Sequence, residues 1–211
     1  MNPRGSYAKG VAKREQILTT ALEVIAREGL GRTSIRELAD AAGLSQAGLL
    51  HYFDSKEELY TAVLRKRDEV NAQRFAALRS TLADAAGGAG AADADAVISS
   101  LMDVIRQTAD VPGLAQLFAR LSVDAAAPEH PAHAFFLDRR RILGELLTPA
   151  ISTLQAEGRI VDTVPAATLA TIVHALADGL QTLWLLDPNL DMAGTIEALF
   201  AALEPRKVTA R

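Results

Sequence analysis

No cysteine occurs among the 211 residues. That excludes disulfides, thiolate zinc sites, iron–sulfur clusters and thiol nucleophiles, and it disfavours a small stapled scaffold. Long hydrophobic runs are also missing. The longest charge-free apolar stretch, Thr163–Ala177, has 15 residues and contains Pro165, short of the ~20 that a membrane span needs. The basic residues of Met1–Gly10 have no apolar run behind them, unlike a signal peptide. The expectation is a cytoplasmic protein with no membrane partner. A third lack is sustained period-2 alternation, so no strand is predicted. What is present is a hydrophobic fraction of 49% with 23% charged residues, enough for a sizeable core and for one or two domains.

Positive charge is scarce overall, with a net charge of −4, but it is unevenly placed. Residues 1–67 hold 11 Lys/Arg against 8 Asp/Glu, net +3, leaving 11 against 18, net −7, for residues 68–211. The first fourteen residues carry Arg4, Lys9, Lys13 and Arg14 and no acid. A basic head on an acidic body points to an anionic partner for the head alone, with a solvated basic tail as the plainer alternative.

Helical spacing runs through nearly the whole chain. Ile17, Leu18, Ala21, Leu22 and Ile25 form one stripe, ended by Glu28-Gly29. Thr33-Ser34 followed by Glu37 has the pattern of a capping box opening a short helix, and Gly43 closes that helix. Ser45 caps a further short helix, Gln46–Tyr52, and residues 54–58 start a long helix to about Asp84. Ala85–Ala96 reads as a linker. Helices follow over 97–109, 113–124 and about 132–157, where Pro149 is expected to kink or split the segment. Two apolar helices, around Leu169–Trp184 and Met192–Leu203, complete an all-α chain.

Residues 33–53 have a helix-turn-helix layout, two short helices joined by a tight turn at Gly43, with the second helix offered to a groove. Leu49 and Phe53, four apart, face inward. This leaves Gln46, Ala47, Gly48, His51 and Tyr52 outward: small residues allow close approach, Gln46 and His51 can read base edges, and Tyr52 can reach a phosphate. Thr33, Ser34 and Lys56 sit where hydroxyls or an ammonium can hold phosphate, and Ser45 opens the recognition helix. An ordinary helical corner shares the layout.

The residues themselves go further. Thr33-Ser34-Ile35-Arg36-Glu37-Leu38-Ala39, then Ala42-Gly43-Leu44-Ser45, then His51-Tyr52-Phe53-Asp54-Ser55-Lys56-Glu57-Glu58-Leu59 resemble the TetR family of transcriptional regulators. The likeness extends upstream through Ile17, Ala21, Ile25 and Gly29-Leu30-Gly31, over about residues 12–64. Leu50 stands where the family often has tyrosine, which takes away one hydroxyl for phosphate contact. The resemblance implies a DNA-binding domain with a basic arm over residues 1–55. It also implies a helical regulatory and dimerisation domain over 56–211, joined through the long helix from about 56 to 84. The implied protein is no enzyme and needs no cofactor or metal: it is a homodimeric repressor, released from a palindromic duplex DNA operator by a small, largely hydrophobic effector.

The effector would lie among the helices between Val97 and Trp184, with Met102, Ile105, Phe118, Leu121, Phe136 and Trp184 as apolar lining and Arg120, His174 and Gln181 as polar anchors. The two apolar helices near the C-terminus would pair with their symmetry mates through Leu169, Ile172, Val173, Leu176, Leu180, Ile196, Leu199 and Phe200. Rival chemistry is thin. Gly43-Leu44-Ser45-Gln46-Ala47 lacks the last glycine and the preceding strand of a nucleophile elbow. His130 and His133, with Asp124 and Glu129 nearby, could suggest metal ligands, but two histidines in a proline-broken loop are more often solvated. His174 and Asp178, four apart, lack the third partner that catalysis needs. Arg139-Arg140-Arg141 reads as a solvated helix face or an ion-pairing strip.

Overall fold

The computed structural model describes the backbone of residues 3–86 and 94–205 and the side chains of residues 8–73 and 94–205. All its regular elements are helical, and no strand occurs among the described residues. They are α1 (Pro3–Glu28), a 3-10 turn (Leu30–Arg32), α2 (Ile35–Ala41), α3 (Gln46–Leu50), α4 (Lys56–Ala86), α5 (Ala94–Thr108), α6 (Pro112–Asp124), α7 (His133–Ala156), α8 (Ala166–Leu186) and α9 (Met192–Ala202). The expected linker Ala85–Ala96 is helical at both ends; its residues 87–93, and the side chain of Arg4, lie outside the described residues. The basic arm is a helix from Pro3 onward and continues directly into the core stripe of α1.

Packing defines two compact units, residues 1–73 with 111–136 and residues 74–110 with 137–211. The boundaries fall inside α4, between α5 and α6, and inside α7. In the first unit, Ile17, Leu18, Ala21, Val24 and Ile25 of α1 are buried together with Leu38 and Ala39 of α2, Leu49 of α3, and Leu59, Val63 and Leu64 of α4. α6 joins the same core through Leu114, Leu117, Phe118 and Leu121. Three successive cations of α4 are held on different sides. Arg65 lies 5.4 Å from the Phe135 ring centre, Lys66 donates to Glu15 at 2.8 Å, and Arg67 lies 5.1 Å from the Phe118 ring centre.

α6 meets the end of α1 at Gly113. A Cβ there would sit 2.1 Å from the Ile25 carbonyl oxygen and 2.7 Å from the Gly29 Cα, so only glycine fits. Gly43 is needed for a different reason: its φ of 67° lies in the left-handed region, where a side chain is strained.

In the second unit, Leu147, Ala150, Ile151 and Leu154 of α7 pack with Leu169, Ala170 and Val173 of α8, and α9 adds Leu199 and Phe200, half-buried. Pro149, expected to kink or split the segment, lies inside a helix that runs from His133 to Ala156. A proline in a helix interior costs about 3 kcal/mol. Four buried aliphatic neighbours in the same helix, most worth about 2 kcal/mol each, outweigh it. α8 is also long and apolar enough, by length and composition, to cross a membrane. The 15-residue limit counted only the charge-free stretch; the helix continues past Asp178. Within the second unit α8 buries Leu169, Ala170, Val173, Leu180, Gln181 and Trp184.

Gly113→Ala tests the close approach of α6. Alanine normally gains almost 1 kcal/mol over glycine in a helix, yet here the clash is with backbone, which cannot swing away. The expected result in urea unfolding is a net loss of about 1–3 kcal/mol.

Candidate nucleic-acid interface

The site begins with how α2 and α3 are started and stopped. Ser34 accepts a hydrogen bond on Oγ from the Glu37 amide at 3.2 Å, and Glu37 Oε2 accepts from the Ser34 amide at 2.6 Å. This is the capping box that the sequence pattern predicts. The hydrogen bond from the Ser34 backbone, and then that from its side chain, hold the Glu37 carboxyl below its ordinary pKa. The turn runs through Gly43, and Ser45 caps α3 by accepting from the Gly48 amide at 3.0 Å. Leu49 and Phe53 are buried in the unit's core, as their spacing predicts. They fix the rotation of α3 about its axis, so the opposite face is presented outward.

That face carries Gln46 and Ala47, both exposed, with Gly48 half-buried beside them. α3 ends at Leu50, earlier than the expected Tyr52. His51 is an exposed C-cap, and Tyr52 follows in a turn, half-buried against the core. The two rings meet edge-on with centres 5.8 Å apart. Leu50 is 38% exposed on the outside of α3. Lys56 at the start of α4 is exposed, its ammonium 5.3 Å from the Tyr60 ring centre. Thr33 is placed differently from its neighbours: it is buried, and its hydroxyl donates to the Gly29 carbonyl at 2.7 Å.

Two members of the basic arm are engaged within the protein. Lys13 donates to the Ala42 carbonyl at 3.2 Å, and Arg14 pairs with Glu58 at 3.2 Å while lying 4.6 Å from the Phe53 ring centre. Lys9 is exposed. The arm reading missed these contacts, because charge alone does not reveal an intramolecular partner 44 residues away. The Ser55-to-Glu58 spacing, a second capping pattern, was the available signal.

The residues nominated for an effector pocket divide between the two units. In the first, Phe118 and Leu121 are core, Phe136 packs on Phe118 with ring centres 5.1 Å apart, and Arg120 is exposed. Its charge is felt at buried Tyr60, whose pKa burial raises above the usual value. In the second, Met102, Ile105, Gln181 and Trp184 are buried. His174 instead lines an open groove of about 710 Å³ with Leu137, Arg140, Thr148, Pro149 and Thr171. Its Nε2 lies 3.4 Å from Asp178. Arg141 pairs with Glu145 at 2.9 Å. Among the nominated interface residues, Leu169, Val173, Leu180 and Ile196 are buried within the unit, Leu176 is half-buried, and Leu199 and Phe200 pack against its core. Ile172, at 44%, is exposed, as are Leu183 at 54% and Leu186 at 81%, which the sequence did not nominate.

His133 and His130 serve the loop they belong to. The His130 ring accepts from the Ala132 amide at 3.1 Å, and His133 Nδ1 lies 2.8 Å from the Ala125 carbonyl oxygen. No cluster of three or more His, Asp or Glu with metal-site geometry occurs among the described residues.

Two short helices locked by caps at a glycine turn, the second held by its apolar side with its polar side free, define a helix-turn-helix unit. Residues 17–63 match the family model of bacterial regulatory proteins, tetR family. RutR, a helix-turn-helix transcriptional regulator of Escherichia coli, is 46% identical over 55 residues. That stretch is 26% of this chain and only 26% of RutR. A TetR-family regulator of known structure from Rhodococcus sp. superposes with a TM-score of 0.65 at 23% identity, covering 92% of this chain and all of the other. The Thermus thermophilus repressor FadR, solved with lauroyl-CoA, gives 0.60 at 20% identity, with 94% and 98% coverage. At these identities the structures establish the shared fold.

Ser34→Ala is expected to cost about 1 kcal/mol through loss of the cap. The lowered Glu37 pKa adds a pH signature. Its contribution is present above the unfolded carboxyl pKa of about 4.3 and is lost as pH falls through the lower folded value. Urea unfolding near neutrality and in acid should therefore show Glu37→Ala and the parent converging as pH falls, whereas the loss in Ser34→Ala persists at low pH.

Proposed function

We propose that the protein is a homodimeric, sequence-specific DNA-binding repressor, acting in the cytoplasm and released from a two-fold symmetric operator by a small, largely hydrophobic effector. The observation that carries this reading is the outward face of α3. Gln46, Ala47 and His51 are exposed on a short helix whose opposite side is anchored by Leu49. In the reading, Gln46 and His51 address base edges, and Ala47 and Gly48 keep the helix surface low enough for close approach. Ser34, Ser45, Tyr52 and Lys56 face phosphates. Thr33 contributes through its backbone position, since its hydroxyl hydrogen is committed to Gly29.

A duplex selected by the protein from a randomised library, compared with random-sequence duplex, separates these roles. Lys56→Ala is expected to weaken both duplexes alike and to flatten the salt dependence by about one unit. Gln46→Ala and His51→Ala should cost about 1–3 kcal/mol of discrimination at particular base pairs. If Lys56→Ala changed sequence preference while leaving the salt dependence intact, the assignment would be reversed.

One recognition helix reads few base pairs, so a dimer is the natural reader of such an operator. The dimer reading rests on α8. Its inner stripe is already buried, while Ile172, Leu183 and Leu186 remain exposed along one side with half-buried Leu176 between them. A row of aliphatic side chains interrupted by little charge suits a second copy, with α9 alongside through Leu199 and Phe200. Asp178 and His174, paired on another side of the same helix, are poorly suited to a bilayer. Leu183→Glu, at an exposed position, should leave the protomer folded and shift sedimentation from dimer to monomer. An unchanged dimer would place the interface elsewhere.

The effector belongs in the second unit. The open groove is lined by apolar Leu137, Pro149, Ala167 and Ala170 together with Arg140, Arg141, Glu145 and His174, whose positive excess suits an apolar molecule with an anionic end. FadR's lauroyl-CoA is of that kind. Linkage then requires that an effector which weakens operator binding bind less tightly to the operator complex.

A further inference from the structure

Arg14 has the wrong surroundings for a phosphate ligand. Its guanidinium donates to Glu58 Oε1 at 3.2 Å and lies 4.6 Å from the centre of the Phe53 ring. Glu58 is itself tied down twice more. Its amide donates to Ser55 Oγ at 3.0 Å, and its second carboxylate oxygen accepts from the Asp54 amide. Phe53 and Asp54 make the corner between the end of α3 and the start of α4. One residue of α1 thus grips that corner through a carboxylate and an aromatic face together, and both partners act on the same few residues of backbone. A guanidinium is suited to this, because its planar face stacks while its edge donates.

We propose that Arg14 is a positioning residue for the recognition helix. By holding Glu58 and covering Phe53 it fixes the angle at which α3 leaves the body of the first unit, and it makes no contact with DNA. The proposal rests on the reading of α3 as the base-reading helix. It also corrects the view of the N-terminal cations as one electrostatic arm: Lys9 is free to meet phosphate, whereas Arg14 is a strut. The pair is only partly buried, with side-chain exposures of 39% and 33%, so its contribution to global stability is small. Its effect falls on geometry, and a geometric effect on specific DNA recognition is measurable apart from a charge effect.

The test uses the full chain as Arg14→Gln, Arg14→Lys and Glu58→Ala, with the library-selected duplex and a random-sequence duplex as probes and hydrogen exchange at the Asp54 amide as a DNA-free readout. A positioning role predicts faster Asp54 exchange in Arg14→Gln and in Glu58→Ala. It also predicts a loss of about tenfold in affinity for the selected duplex, little change on the random duplex, and an unaltered salt dependence. Arg14→Lys should fail to restore specificity, since lysine keeps the charge without the fork or the flat face. The proposal is overturned if Arg14→Gln weakens both duplexes equally and flattens the salt dependence by about one unit while Arg14→Lys behaves like the parent. It is overturned equally if Asp54 exchange is unchanged in Arg14→Gln. Should Arg14→Gln fail to fold, the lysine variant and Glu58→Ala decide between the same outcomes. If the parent chain selects no sequence at all, the DNA reading falls, and the exchange measurement still decides the strut.

Discussion

Burial of one apolar stripe of α1 is the constraint on which the first unit depends. Ile17, Leu18, Ala21, Val24 and Ile25 are each at most 6% exposed, and the larger of them contribute about 1.5–3 kcal/mol apiece. Exposed or half-exposed ion pairs contribute about 0–1 kcal/mol. The hydrophobic stripe therefore decides that α2, α3, α4 and α6 gather on α1, and the polar contacts make only smaller adjustments to how they sit. Lys13 on the Ala42 carbonyl, Arg14 on Glu58 and Glu15 on Lys66 are three neighbouring residues that hold the end of α2 and two points along α4. This division of labour explains how a module of two very short helices, neither able to persist alone, can present a defined face.

Much of this was legible in the residues. Ser34 with Glu37, Gly43, and Ser45 before a run containing Leu49 and Phe53 are local signals. A cap, a left-handed turn and an i, i+4 pair involve atoms within a few residues of one another, so their chemistry is visible in the order of the chain. The N-terminal stripe of α1 is equally local. The match to the family model falls on those same local features, because residues 17–63 hold nearly all of them.

What was not legible depends on distant partners. Periodicity shows that Phe118 and Leu121 are buried but not against what; proposed from the sequence as effector lining, they are part of the core of the first unit. The same applies to α8. Spacing marks Leu169, Val173 and Leu180 as apolar, yet only packing shows that they face inward while Ile172, Leu183 and Leu186 stay exposed. Pro149 is a related case. Its local cost is real, and it is outweighed by neighbours whose burial comes from other helices. Gly113 carried no signal of its own, since the atoms that demand it belong to Ile25 and Gly29.

Arg65, Lys66 and Arg67 point in three directions, about 100° apart on a helix, and each is met by a different element: the start of α7, α1 and α6. A helix gripped on one side can roll. A helix gripped on three sides cannot turn about its own axis without breaking at least one of the grips. The first part of α4 is thereby denied a screw-like motion and behaves as a keyed shaft: whatever displaces it must carry α1, α6 and the beginning of α7 along with it, and the recognition helix moves as part of that body.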